Sequence, residues 1–168
     1  MQLHRNRKKG DTFRKTKIVK ELEIMIESDT IKLLRECDAG IKMGIASIDE
    51  VLNHVQNEVF RKYLTDCKKE HACLEQEIKL LLNEYHDKGK NPCMMTEKMS
   101  QARINMKLLM NESDQTIAVL MTDGCNMGVK SLSRYLNQYK AADEKSKNIA
   151  KSLIRLEEKL AVSIREFL

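Results

Sequence analysis

Residues 40–48 read Gly-Ile-Lys-Met-Gly-Ile-Ala-Ser-Ile, and residues 124–132, 84 positions later, read Gly-Cys-Asn-Met-Gly-Val-Lys-Ser-Leu. When the comparison is extended to 14 aligned positions, six residues are identical. Ordinary composition gives roughly one identity by chance over such a length. A second match, Leu74-Glu75 with Leu156-Glu157, lies at an offset of 82 residues. The two-residue change falls where a turn between helices is expected, and turn length varies at low cost. The sequence therefore predicts an internal repeat.

Apolar residues recur every three or four positions along the chain, as in helices that bury one face. The 168 residues include only six Gly and one Pro, too few to punctuate the turns of a sheet protein. The predicted fold class is all-α. The first main helix is expected over about residues 30–53, the second is expected to stop at residues 87–89, and the last is expected to run to the C-terminus. Capping chemistry predicts helix starts at Ser28-Asp29, at Thr96 and at the cluster Asn111-Glu112-Ser113-Asp114, and the second helix is expected to begin after Asn57.

Two repeated helical hairpins, at about residues 29–88 and 113–168, follow from the repeat, with a helical crossover at about residues 89–112. One hairpin cannot bury its apolar faces alone, whereas two packed together form a four-helix bundle. Residues 17–168 are therefore predicted to form a single domain. Small residues four positions apart let two helices approach closely, so four glycines are predicted to mark helix packing: Gly40, Gly44, Gly124 and Gly128.

Four segments carry a resemblance to a known family. They are residues 33–44 (Leu-Leu-Arg-Glu-Cys-Asp-Ala-Gly-Ile-Lys-Met-Gly), 69–78 (Lys-Glu-His-Ala-Cys-Leu-Glu-Gln-Glu-Ile), 122–132 (Thr-Asp-Gly-Cys-Asn-Met-Gly-Val-Lys-Ser-Leu) and 139–146 (Tyr-Lys-Ala-Ala-Asp-Glu-Lys-Ser). Over about residues 29–168 the chain resembles a group of small ferritin-like bacterial proteins of unknown function. The resemblance implies a ferritin-like four-helix bundle. It implies no activity, because the group has no assigned reaction.

The ferritin-like fold also implies a two-metal site, with a Glu from the first helix of each hairpin and a Glu-x-x-His from the second. This chain departs from that pattern. Its four histidines (His4, His54, His71 and His86) all lie in the first half, and Lys68 stands where the motif before His71 needs a Glu. In the second hairpin the repeat places Leu153 where His71 stands in the first.

A single metal site around Cys67 and His71, with Glu70 or Asp38 nearby, is one interpretation, because thiolate and imidazole ligands suit zinc. The other interpretation is a core histidine hydrogen-bonded to a neighbour, with Cys67 acting as a small apolar residue. No cofactor is predicted, with Fe, Mn or Zn as the alternative. No catalytic residue is predicted, because the chain contains no phosphate-binding loop, Gly-x-Ser-x-Gly or His-Glu-x-x-His motif. The neighbouring Glu157 and Glu158 are interpreted as part of a solvated helix face.

The excess positive charge is concentrated at the N-terminus, where residues 1–20 hold eight basic side chains against Asp11 alone. Residues 1–16 are predicted to be a basic disordered arm, and a basic arm of this kind can bind nucleic acid. The five cysteines are widely spaced and include no Cys-x-x-Cys pair, which favours thiols in a reducing cytoplasm. No signal peptide or membrane span is expected, because no apolar run is long enough.

Three functions remain open at this stage. The first is a non-enzymatic ferritin-like bundle that acts through protein association, as a homo-oligomer. The second is a metal-binding or oxidative-stress protein with a degenerate ferritin-like site, which stoichiometric Fe, Mn or Zn in the purified protein would indicate. The third is nucleic-acid binding through residues 1–20, which predicts salt-sensitive binding that is lost when these residues are removed.

Overall fold

The computed structural model describes the backbone of residues 3–168 and the side chains of that range other than those of residues 3–16, 94–96 and 110. This part of the chain contains five α-helices, a short C-terminal 3-10 turn at Arg165–Phe167 and no strand, so the predicted all-α class is confirmed. No helix within the described range combines the length and the apolar character needed to cross a membrane. The helices are α1 (Leu3–Leu52), α2 (Glu58–Glu84), α3 (Met94–Met110), α4 (Asp114–Gln138) and α5 (Glu144–Ser163).

Local capping chemistry determines where three of the helices begin. The side chain of Asn57 accepts hydrogen bonds from the backbone N–H groups at the start of α2, and Ser113 does the same for α4. Asp143 caps α5 by accepting a hydrogen bond from the N–H of Ser146 at 2.7 Å. Each cap satisfies backbone donors that the first turn of a helix leaves without partners. The predicted start of the second helix after Asn57 and the predicted capping cluster at residues 111–114 are confirmed, whereas α3 begins at Met94, two residues before Thr96.

The predicted helix start at Asp29 is wrong, because α1 runs through this position without a break. The side chains of Asp29 and Thr30 instead accept hydrogen bonds from backbone N–H groups in a distant part of the chain. The Asp29 carboxylate accepts a hydrogen bond from the N–H of Ala141 (3.1 Å), and the Thr30 hydroxyl accepts one from the N–H of Asp143 (2.9 Å). These bonds tie α1 to the turn between α4 and α5.

Asp114, at the start of α4, binds the other interhelical turn. Its two carboxylate oxygens accept hydrogen bonds from the N–H groups of Gln56 and Asn57, both at 2.8 Å. Asp114 lies 84 residues after Thr30, which is the offset of the sequence repeat. The first helix of each hairpin therefore supplies a side chain that accepts hydrogen bonds from backbone N–H groups in the turn of the other hairpin.

The end of α2 is formed by His86, which takes the left-handed backbone conformation with φ of 55°. The N–H of Asp87 donates to the carbonyl of Leu82, and the N–H of His86 donates to that of Asn83. This pair of bonds is the Schellman arrangement, which satisfies carbonyls that the last helical turn leaves open. Gly89, which was predicted to take this left-handed role, lies in the loop beyond and has φ of 76°.

Two groups of buried side chains show how the helices run. One lies near the turn at residues 53–57 and contains Ile48 and Val51 from α1 with Leu156 and Leu160 from α5. The other lies near the turn at residues 139–143 and contains residues that come earlier in the same two helices, among them Leu33 and Ile41 of α1 and Ile149 of α5. We call these the 53–57 end and the 139–143 end. The arrangement shows that α1 and α5 run toward the 53–57 end, whereas α2 and α4 run away from it.

The chain between α2 and α4 returns to the 53–57 end through α3. Ile104 and Leu108 of α3 join the buried group at that end, and Arg103 forms an ion pair with Asp123 of α4 at 2.7 Å. Because α3 spans this return, α2 and α4 start at the same end of the molecule and run in the same direction.

Residues 17–27, which we call the α1 extension, lie beyond the 139–143 end and are all exposed. Their large apolar side chains include Ile18, Leu22 and Met25, which retain 51%, 46% and 48% of their surface. Neither buried group contains a residue before Leu33. The predicted disordered arm at residues 1–16 lies outside the described side chains, although the backbone of α1 begins at Leu3.

We expect a chain beginning at Met25 to unfold with a midpoint within about 5 °C of the full chain, because the removed residues contribute nothing to either buried group. Asp29 and Thr30 remain, so the bonds to the 139–143 turn are kept. Thermal unfolding followed by circular dichroism measures this directly. A larger fall in the midpoint that does not depend on protein concentration would show that the extension belongs to the core.

Candidate functional site

A buried polar pair joins α2 to α5 midway between the two ends. His71 of α2 is 1% exposed, and its Nε2 lies 3.1 Å from Oε1 of Glu157 on α5. The other ring nitrogen, Nδ1, donates to the backbone carbonyl of Cys67 at 3.0 Å and lies 3.5 Å from the Cys67 thiol. Both nitrogens of the imidazole are therefore hydrogen-bonded within the protein.

The surroundings of His71 favour its charged form. Burial acts to lower the pKa of the imidazole, but the hydrogen bonds to Cys67 and Glu157, together with the charge of Glu157, raise it to about 10. At neutral pH the pair is therefore an imidazolium and a carboxylate, with Nε2–H donating to Glu157. Removing one partner of such a pair leaves a buried charge without compensation, which is strongly destabilising.

Two glycines make room for this pair. A Cβ built on Gly44 of α1 would lie 3.0 Å from Nε2 of His71, and one on Gly128 of α4 would lie 3.4 Å from the carboxyl carbon of Glu157. These glycines therefore face the polar side chains rather than the backbone of a partner helix. For Gly40 and Gly124, a built Cβ meets no atom of the described structure within 4 Å. The close helix contact predicted at these two positions is not found, because both glycines are exposed.

Two buried thiols, Cys125 beside Glu157 and Cys37 nearer the 139–143 end, are held in the protonated form. Burial, followed by the charge and hydrogen bond of Glu157, raises the pKa of Cys125 above its ordinary value. Burial also raises the pKa of Cys37 to about 12, with Glu36 and Asp38 acting in the same direction. Since the thiolate is the nucleophile and the metal ligand, neither of these side chains is activated at neutral pH.

The structure separates the four predicted metal candidates. Cys67 and His71 lie together, whereas Glu70 is exposed and pairs with Lys159 at 2.8 Å. Asp38 is buried against the loop after α2, where it accepts hydrogen bonds from the N–H of Lys90 (2.9 Å) and from Nζ of Lys42 (2.8 Å). Over the described residues, no three His, Cys, Asp or Glu side chains form a group that could hold a metal ion.

Glu157 and Cys125 belong to this site, although the sequence did not single them out. Glu157 was interpreted as part of a solvated face, but its side chain is only 14% exposed. Its position directly after Leu156, a repeat-matched apolar residue, was the available signal. The signal was weak because the adjacent Glu158 is exposed, as expected for a solvated acid.

The site is a buried hydrogen-bonded pair that joins α2 to α5. The ring nitrogens of His71 are engaged, and the thiols of Cys37 and Cys125 are protonated at neutral pH. The clear physical effect of this pair is to fix α2 against α5.

Comparison of the chain with protein-family models, with curated proteins and with solved structures finds no match in any of the three.

Replacing Gly40 and Gly44 separately by Ala is expected to change stability in opposite directions. Gly40→Ala fills open space in an exposed helix and should raise the free energy of unfolding by about 0.5–1 kcal/mol. Gly44→Ala places a methyl group against Nε2 of His71 and should lower it by about 1 kcal/mol or more. Urea unfolding measures both values. Equal effects at the two positions would contradict the role assigned to Gly44.

The His71–Glu157 pair is expected to make the protein less stable as the pH rises. Because the pKa of His71 is raised from 6.5 to about 10, its contribution is complete below pH 6.5 and declines toward pH 10. The slope for one group is at most about 1.4 kcal/mol per pH unit. Glu157→Gln should flatten this slope, whereas Glu158→Gln, at the exposed neighbour, should leave it unchanged. Urea unfolding between pH 6.5 and 9 gives the slopes, and parallel slopes for all three proteins would contradict the pairing.

Proposed function

We propose that this chain is a non-enzymatic, ferritin-like four-helix bundle that acts through protein association and assembles with copies of itself. Helix directions support the ferritin-like arrangement, because α1 and α2 are antiparallel, α4 and α5 are antiparallel, and one long crossover contains α3. A single long crossover of this kind distinguishes the ferritin-like bundles from simple up-and-down bundles. The hydrogen bonds of Thr30 and Asp114 to opposite turns, 84 residues apart, support two equivalent hairpins.

One observation carries the proposed function: the α1 extension exposes a continuous apolar face. In an α-helix, successive residues are separated by about 100°, so Ile18, Leu22 and Met25 lie on one side. Val19 and Ile26 flank them, and each of the five retains at least 42% of its surface. Contiguous apolar surface on a protein marks sites of association.

The same face of α1 is buried in the body of the molecule. Continuing from Met25 at intervals of four residues leads through Asp29 to Leu33, which is fully buried between the helices. Beyond the 139–143 end, the extension therefore presents to solvent the side that the rest of α1 buries. A second copy that covers this side would continue the pattern of packing.

The hydrogen bonding of the His71–Glu157 pair agrees with a role that does not involve catalysis. His71 and Glu157 bind each other, and both ring nitrogens of His71 are engaged in hydrogen bonds within the protein. The surface of the α1 extension, rather than the polar interior, is therefore the feature that supports a function.

Replacing Leu22 by Glu should weaken self-association of the full chain by at least about tenfold. Burying one leucine is worth about 1.5–3 kcal/mol, and 1.4 kcal/mol corresponds to a factor of ten. Sedimentation velocity over a range of concentrations measures the change. Ile24→Glu is the matched control, because Ile24 is 59% exposed and lies about 200° around the helix from Leu22.

The full chain and Ile24→Glu should sediment as oligomers under conditions where Leu22→Glu is monomeric. A full chain that remains monomeric at all concentrations would contradict the proposed self-association.

A further inference from the structure

The crossover helix α3 buries few side chains against the rest of the molecule, which we call the four-helix body (α1, α2, α4 and α5). It lies against α1 and α4 near the 53–57 end. Of its side chains that the structure describes, two are buried, Ile104 and Leu108. Met99, Met106 and Leu109 retain 67%, 61% and 89% of their surface. Because apolar stabilisation follows the area removed from water, these three large side chains do little to hold α3 in place.

The polar attachment of α3 is equally slight. Arg103 pairs with Asp123 of α4, but the two side chains are 48% and 47% exposed. Ion pairs in contact with water contribute little to stability, because solvent screens the charges and long side chains must be ordered to form them. By contrast, α2 and α5 each bury seven side chains, and α4 buries six. The described side chains of α3 therefore attach it far more weakly than the helices of the body attach to one another.

The chain just before α3 is fixed to α1 by contacts that do not involve α3. The buried carboxylate of Asp38 accepts a hydrogen bond from the N–H of Lys90 at 2.9 Å, and Nζ of Lys90 pairs with Glu36 at 2.6 Å. Nζ of Lys42 donates to the side-chain oxygen of Asn91 at 3.1 Å. Residues 90 and 91 are therefore a fixed point at the start of the crossover.

The chain just after α3 is fixed in the same way. Nδ1 of His54 lies 2.7 Å from Oε1 of Glu112. Two residues later, Asp114 accepts the hydrogen bonds from the N–H groups of Gln56 and Asn57 that join α4 to the 53–57 turn. These bonds also leave α3 out, so the crossover has a second fixed point at residues 112–114.

The segment between the two fixed points is long enough to unwind without moving either of them. Residues 92–111 number 20, and the 17 residues of α3 span about 26 Å as a helix. Twenty extended residues reach about 66–72 Å. Unwinding α3 therefore lengthens the reach of the segment and puts no tension on the residues at its ends.

We propose that α3 is a lid over the groove between α1 and α4, which opens as a unit while the four-helix body stays folded. Opening withdraws Ile104 and Leu108 from the buried group at the 53–57 end, so that apolar surface of the body meets solvent there. Segments with few buried contacts open at a lower free energy than the whole protein unfolds, and lids are drawn from such segments. The inference goes beyond the proposed function and does not depend on self-association.

Hydrogen exchange of the full chain, followed by mass spectrometry, tests the lid. Amides of residues 97–109 should be at least about a hundredfold less protected than those in the middle of α4. Leu108→Ala should lower the protection of α3 by a further factor of about ten or more, because it removes one of two buried anchors. Protection in α2, α4 and α5 should not change. Leu109→Ala is the matched control, since Leu109 is the adjacent residue and is 89% exposed, and it should leave α3 as it was.

Three results would overturn the lid. Protection in α3 equal to that in α4 would show that α3 unfolds only together with the body. Leu108→Ala that lowers protection in α4 by the same factor as in α3 would show the same coupling. Equal effects of Leu108→Ala and Leu109→Ala would show that burial of Leu108 does not hold α3 closed.

Discussion

The packing of the helices midway between the two ends depends on the imidazolium–carboxylate pair of His71 and Glu157. Burying two charges is costly, and the attraction between them compensates only when the geometry is good and the remaining hydrogen-bonding groups are satisfied. The carbonyl of Cys67 meets that requirement for Nδ1, and Glu157 meets it for Nε2. Glycine at 44 and 128 then follows from the space that the two side chains occupy, rather than from contact between helix backbones.

Hydrogen bonds hold the two ends of the molecule together. At each end, a side chain from one hairpin accepts hydrogen bonds from backbone N–H groups in the turn of the other hairpin. Thr30 binds the N–H of Asp143, and Asp114 binds the N–H groups of Gln56 and Asn57. A buried or partly buried backbone N–H without a partner costs about as much as a lost hydrogen bond. The two hairpins are therefore coupled at both ends by polar contacts, and between the ends by apolar burial and the central pair.

Elements governed by local chemistry could be predicted from the sequence. The caps at Asn57 and Ser113 act on backbone groups within three residues, so the start of α2 and of α4 follows from the residues themselves. The start of α1 could not be predicted in this way. Asp29 has the chemistry of a cap, but its acceptor oxygen serves a donor 112 residues away, and no local pattern distinguishes the two uses.

The candidate site shows the same limit. His71 could be placed on a buried helix face by its spacing, and its bond to Cys67 lies one turn away on the same helix. Its bond to Glu157 spans 86 residues and depends on how α2 packs against α5. The glycines show the same limit, because each half has two glycines four residues apart, and only Gly44 and Gly128 meet a neighbouring side chain.

The continuity of α1 past Asp29 also has a kinetic and energetic consequence for any association of the extension. Starting a helix in isolation is unfavourable because several backbone dihedrals must be fixed before the first hydrogen bond forms, whereas adding a residue to an existing helix is nearly neutral. The body of the molecule already provides the nucleus for residues 17–27. The extension can therefore propagate as helix before a partner arrives, and docking then requires less ordering than it would for a detached segment of the same sequence.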